Sequence, residues 1–300
     1  QKLQQPVNSF LSKPLIQDTI VGDPISGDSY LNLPTSTASS ADNIKLFNLM
    51  THTSGFDERI AGISARSASA KLNFAEYMYK SMPPRIRAPN LVATYSNHGA
   101  GALGLIVENL SKQSYGDFIK QNLFTPLNMT RSFYEYPLND ADLQANPFFP
   151  RPVLRASTTE AEKFASSQLS NYGQYIQTGP AGSIFSTAHD MANYAILHLN
   201  YGKFKDNELL SVPIANEMYR EQFTERAGKL GFGLIWFQKK SNGISYIEHS
   251  GTVDPYHSSL SLFHLSDAAL FISMVGTNPG ALDTLKQQFI AATMSAYAEA

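Results

Sequence analysis

Apolar residues along this chain follow two rhythms, and each predicts its own kind of element. In the first two-thirds they return every three or four positions, the spacing of a helix face. Ile44, Phe47, Leu49 and Met50 predict a short amphipathic helix after Ala41, capped from residues 40–42 and ended by Gly55. Residues 74–82 predict a second helix, stopped by Pro83 and Pro84. Residues 98–113 (HGAGALGLIVENLSKQ) form the strongest helical pattern, with small residues along one side that invite close packing. A further segment, 115–124, runs up to Pro126, and residues 187–199 put Met191, Tyr194, Ala195 and Leu199 on one face. Beyond residue 230 the rhythm shortens. Residues 231–237 (GFGLIWF), 244–249, 258–264 and 268–275 are short runs rich in β-formers, separated by turn residues. They predict an antiparallel meander, closed by a helix over 284–297. The first forty residues read as extended chain and turns, and 134–178 as irregular with a helix at 157–167.

This order predicts an α/β (α+β) fold: an antiparallel sheet flanked by helices, plus a mostly helical part. The expected division is a helical domain over 1–180, with an extended N-terminal segment, and a sheet-plus-helix part over 181–300. With 43% apolar residues in 300, the chain has material for a sizeable core. Charged residues are 16% and the net charge is −2, with no basic stripe, so no nucleic-acid partner is expected. No apolar run reaches the roughly 18 residues of a membrane span. The absence of cysteine excludes a thiol nucleophile, a disulfide framework and a Cys-ligated metal. Residues 1–20 carry neither the basic start nor the apolar run of a secretory signal and do not begin with Met, so the chain reads as a mature or trimmed product.

Common catalytic motifs are missing. Ser64 and Ser245 each follow the first Gly of a G-x-S-x-G but lack the second, and there is no H-E-x-x-H, no P-loop and no G-x-G-x-x-G that opens a helix after a strand. The seven histidines do not pair at ligand spacing, so neither a metal nor another cofactor is expected. Three segments stand out instead: residues 49–55 (LMTHTSG), Tyr95-Ser96-Asn97 ahead of the best helix, and His249-Ser250-Gly251 at a strand end. Taken singly, each has an ordinary structural reading. A Tyr before a helix is commonly a packing residue, Asn97 would serve as an N-cap, and His52 would brace a turn.

In order and separation these segments resemble the serine β-lactamase and penicillin-binding-protein superfamily, in its class C-like branch with D-alanyl-D-alanine peptidases and esterases. That family reads LLTHTSG, then Y-x-N, then a strand ending in K-T-G or H-x-G. Residues 126–130 (PLNMT) are similar to its PLGMT, and 179–190 (GPAGSIFSTAHD) to its GG-x-x-S-T-A-x-D stretch. The resemblance runs from about Leu3 to Leu285. It implies Tyr95 as the base or proton shuttle, with nearby cations needed to lower a phenol pKa from about 10. It implies that Asn97 presents its amide to substrate and to the catalytic Lys, and that His249 takes the Lys/His position beside the cleft. Ser250, Gly251 and Thr252 would line the substrate, with the Thr252 N–H as one oxyanion donor.

The family's nucleophile motif, S-x-x-K, is not among the 300 residues. The residues three before Lys13, Lys45, Lys71, Lys112 and Lys120 are Phe10, Asp42, Ala68, Asn109 and Asp117, and no other Lys does better. Residues 2–11 (KLQQPVNSFL) resemble a family stretch that follows S-x-x-K, which puts the expected nucleophile upstream of Gln1. The expected function is therefore hydrolysis of a β-lactam, a D-Ala-D-Ala peptide or a small ester through a seryl acyl-enzyme. The alternative is a non-catalytic homologue that binds peptidoglycan-like peptides or a protein partner. Ser54, Ser183, Ser186 and Ser250 are not expected to be nucleophiles, since none has a Lys three residues on. The partner implied is a small-molecule or peptide substrate, in a periplasmic or secreted setting, with oligomeric state open.

Overall fold

A computed structural model of the chain describes residues 2–16, 43–65, 68–135, 175–226, 230–241, 243–253, 256–275 and 279–298. The helix expected at 157–167 lies outside them. After two 3-10 turns at Lys2–Gln4 and Val7–Phe10 come helices α1 (Leu46–Met50), α2 (Phe74–Ser81), α3 (Asn97–Ser111) and α4 (Tyr115–Ile119). Strands β1 (Phe133–Tyr134) and β2 (Ile184–Phe185) pair, then α5 (Ala188–Leu199), the hairpin β3 (Lys203–Phe204) and β4 (Asn207–Glu208), and α6 (Val212–Tyr219) follow. The main sheet, in order β5-β6-β7-β8, is the expected antiparallel meander: β5 (Phe237–Ser241), β6 (Ile244–Val253), β7 (Tyr256–Phe263) and β8 (Ala268–Val275). Helix α7 (Pro279–Ala298) closes the order.

The helical layer packs on α3. Leu49 of α1, Tyr77 and Met78 of α2, and Ala102, Leu105 and Ile106 of α3 share one buried cluster with Val7. The small residues of α3 have the use their spacing implied. A Cβ on Gly104 would run into the ring of Pro180, and one on Gly101 would press on Met78. The sheet is covered on both faces. Ile247, Leu260 and Leu262 pack against Ala195 of α5 and Ala215 and Tyr219 of α6, while Tyr246 and Phe263 meet Ile290 of α7. Alternation along a strand therefore assigns Ile247 and His249 to the α5/α6 face, and Tyr246, Glu248, Ser250 and Thr252 to the α7 face.

Three expectations need correction. Residues 231–236 are not strand. A Cβ on Gly231 would collide with the Phe223 carbonyl, Gly233 lies against the Met218 carbonyl, and Ile235 takes a left-handed φ of 71°. The segment is a close-packed connector, tied by Leu234 N–H to Met218 O (3.0 Å) and Ile235 N–H to Met50 O (2.7 Å), and the strand starts only at Phe237. The first helix starts at Leu46 rather than after Ala41, because Asn48 turns back to accept the Lys45 N–H (2.8 Å). Helix α6, which begins with Val212 and Pro213, was missed.

Candidate active site

The LMTHTSG segment forms the turn that ends α1, and its bonds set the position of Tyr95. Thr51 Oγ1 donates to the Phe47 carbonyl (2.8 Å), and Asn48 Nδ2 donates to Thr53 Oγ1 (3.1 Å) and Asn90 Oδ1 (2.8 Å). His52 stands in a left-handed conformation, φ 56°. From there it takes two bonds from the segment that carries Tyr95: Thr94 N–H donates to the His52 carbonyl (2.7 Å) and Ser96 N–H to His52 Nδ1 (3.2 Å). Since Nδ1 accepts, the hydrogen of the neutral ring is on Nε2. Burial, with the His249 ring opposing a second charge, holds the His52 pKa down at about 4 against a smaller pull upward from Glu58. The ring is thus neutral near pH 7 and braces the turn.

Tyr95 lies against that imidazole, ring centroids 4.5 Å apart, and 6.3 Å from the His249 ring across the cleft. Phe237 closes the third side, 6.4 Å from Tyr95 and 5.5 Å from His249. Tyr95 remains 40% exposed, so part of the residue is open to a small molecule. Burial and the Glu58 charge push its phenol above the usual range, so it holds its proton unless a cation is brought to it. Burial likewise lowers the His249 pKa, opposed by a backbone bond at Ser250 and by the Glu248 charge.

Asn97 follows Tyr95 by two residues but is not the cap of α3. Ser96 is: its hydroxyl accepts the Gly99 N–H (3.0 Å), and Asn97 is the first helical residue. The Asn97 backbone N–H donates to Glu58 Oε2 and its Nδ2 to Glu58 Oε1, each at 3.0 Å. Burial opposes the charge on Glu58, but the nearby polar groups of His98, Asn97 and Ser96 outweigh it and leave the carboxyl below its usual range.

The last three candidates divide between the faces of β6. Gly251 shares the alternation of His249, and a Cβ there would sit 3.3 Å from Ser258 Oγ. The Ser250 side chain is turned the other way, donating to Glu248 Oε1 (3.3 Å) and Ser259 Oγ (3.2 Å), and Thr252 Oγ1 meets His257 Nδ1 at 3.2 Å. Both, with Gly251, border a cavity of about 380 Å³ between the sheet and α7, which Tyr95 does not line. The backbone of this stretch is another matter. Strand β5 begins at Phe237, opposite Glu248, so among the described residues no strand flanks 249–253 on that side. Ser54 and Ser183 are buried, and Ser186 Oγ is 2.7 Å from Ser132 Oγ. Asp190 of the 179–190 motif is buried and structural, accepting from Arg131 N–H (2.9 Å) and Ser132 Oγ (2.7 Å). The reading of the sequence missed Glu58, Phe232 and Phe237. No motif spacing marks Glu58, and the two aromatics are recognisable only once the connector folds over His52.

A beta-lactamase family model matches residues 2–292. The chain belongs to the beta-lactamase family. Its curated relatives include penicillin-binding protein 4 of Amycolatopsis lactamdurans, 25% identical over 256 residues, which cover 78% of this chain and 58% of that protein. The chain thus spans little more than half the length of that relative. Among solved structures, a class C beta-lactamase superposes with a TM-score of 0.61 at 17% identity, covering 84% of this chain and 70% of that one. The D-amino acid amidase from Ochrobactrum anthropi SV3 gives 0.61 at 15% identity, with 85% and 73% covered. At these identities the likeness is one of fold: the beta-lactamase/transpeptidase-like arrangement of antiparallel sheet and helices. Among the described residues of this family member, no helix is long and apolar enough to cross a membrane, and no cluster of His, Asp and Glu is placed to hold a metal ion.

Proposed function

We propose that the protein hydrolyses an ester or amide through a seryl acyl-enzyme, with Tyr95 as the group that moves the nucleophile's proton. The observation that carries this reading is the half-exposed Tyr95 ring held between His52 and His249, 6.3 Å from the latter, next to an open strand edge. A partly exposed phenol packed between two imidazole rings is arranged for proton transfer to a bound molecule. The nucleophile comes from a segment outside these 300 residues, since they contain no S-x-x-K. The Lys of that motif would also supply the cation that the raised Tyr95 phenol requires. His249 and the backbone of residues 249–253 would hold the substrate, the Thr252 N–H serving the oxyanion. Candidate substrates are β-lactams, D-Ala-D-Ala peptides and small esters, and a periplasmic or secreted location goes with them.

The missing S-x-x-K also favours a second reading, a homologue that binds peptidoglycan-like peptides or a protein partner without turnover. Labelling separates the two. The full-length polypeptide is treated with a fluorophosphonate and with a fluorescent penicillin, and the adduct is mapped by mass spectrometry. An adduct on a Ser followed three residues later by Lys supports the enzyme. No adduct with either reagent supports the binding protein, and an adduct on Ser54, Ser183, Ser186 or Ser250 contradicts both.

A further inference from the structure

Asn97 does not hang free at the mouth of the site, and what holds it is a carboxylate. Glu58 receives the Asn97 backbone N–H on one oxygen and the Asn97 Nδ2 on the other, both at 3.0 Å. The first bond is fixed by the start of α3, so the carboxylate cannot shift without losing a helix-terminal donor. An ionised carboxylate only accepts hydrogen bonds, so the arm of the carboxamide turned to it must be the NH2. The next residue lies beside the same group on the buried side: His98, fully buried, brings Nδ1 to 3.7 Å from Glu58 Oε1, beyond hydrogen-bond range, and Nε2 to 3.1 Å from the Tyr77 hydroxyl.

We infer that Glu58 is a positioning residue of the site, holding Asn97 by one N–H of its NH2 arm so that the carboxamide keeps a single orientation. The inference rests on the proposed acyl-transfer site and names what holds one of its side chains in place. It also fixes the sign of a substitution. Glu58 carries its negative charge close to Tyr95 and opposes ionisation of the phenol. Were that its main influence, neutralising it would raise turnover. As a positioning residue, neutralising it lowers turnover.

The test is a double-mutant cycle on the full-length polypeptide, followed with p-nitrophenyl acetate and with a chromogenic cephalosporin. Glu58→Gln keeps the shape but has a single acceptor oxygen for two donors. With a charged hydrogen bond lost, kcat should fall about 10- to 100-fold, with KM within about threefold and a nearly unchanged melting temperature. Glu58→Asp, which keeps both acceptors, should recover part of the loss. In the Asn97→Ala background, Glu58→Gln should cost nothing further. Unchanged or raised kcat in Glu58→Gln, or penalties that multiply, overturns the inference while the acyl-transfer reading stands. Parental turnover in Asn97→Ala sinks that reading instead. Independently of turnover, the Asn97 side-chain amide protons, identified by their loss in Asn97→Ala, should exchange with water more slowly in the parent than in Glu58→Gln. Equal exchange also overturns the inference.

Discussion

The strand that carries His249 is fastened to α7 by a buried ion pair, and removing one half of it should unfold the protein at a much lower denaturant concentration. Lys286 Nζ lies 2.8 Å from Glu248 Oε2, with side chains only 4% and 7% exposed. Glu248 also accepts from Ser261 Oγ (3.0 Å) and Ser250 Oγ (3.3 Å), so in Lys286→Met it keeps two neutral hydroxyl donors but loses its only ammonium among the described residues. Breaking a buried pair from one side costs about 3–5 kcal/mol, because the remaining charge stays out of water without compensation. The two hydroxyls place this case at the lower end, about 3 kcal/mol. Lys286 also meets Asp283 at 2.9 Å, but that side chain is 70% exposed, so Asp283→Asn should cost less than about 1 kcal/mol. The double replacement Lys286→Met with Glu248→Leu removes both charges together and should recover most of the loss. Urea unfolding of the parent and the variants measures these differences. A single variant within about 1 kcal/mol of the parent, or a double variant less stable than the single, would refute the reasoning.

Two other outcomes follow from side-chain placement. Ser250→Ala should leave kcat within about threefold of the parent, because its hydroxyl is bonded on the α7 face of β6 (a threefold change is under 1 kcal/mol); a larger drop measured with a chromogenic ester would mean that Ser250 turns to the substrate. Stability should fall as pH drops from about 6.5 towards 4, since burial holds both His52 and His198 at about 4 and the unfolded chain takes up their protons first. The His198→Gln variant should show a shallower decline of melting temperature over that window than the parent, and equal slopes would count against the assignment.

What was legible in the sequence was whatever a short local pattern specifies. The meander of β6, β7 and β8 follows from short β-rich runs bounded by turn residues, and α2 from apolar spacing stopped by Pro83 and Pro84. The small-residue face of α3 foretold close packing, and Pro180 supplies it. Local pattern misled where tertiary contacts decide the backbone. The apolar run at 231–236 reads as strand, yet Gly231 and Gly233 are there to let carbonyls of Phe223 and Met218 approach, and Ile235 turns the chain back to α1. The site was readable as an order of motifs, which brought Tyr95 and His249 into consideration together. Glu58 was not readable, because its pairing with Asn97 spans 39 residues and leaves no periodic trace. The division of β6 into a face for His249 and a face for Ser250 and Thr252 follows from alternation once the strand's register is known.

The central claim is that Tyr95 transfers a proton in the reaction, and the Tyr95→Phe variant of the full-length polypeptide tests it most directly. The substitution keeps the ring that packs on His52 and Phe237 and removes only the hydroxyl, so the melting temperature should change little. Loss of a general base costs about 10²- to 10⁴-fold in rate, and the defect should fall on kcat more than on KM. The measurement is steady-state hydrolysis of a chromogenic ester or cephalosporin beside a melting curve. A fall of at least about 100-fold in kcat at unchanged stability is the predicted result. Turnover within about twofold of the parent would mean that Tyr95 is a packing residue, and would contradict the account.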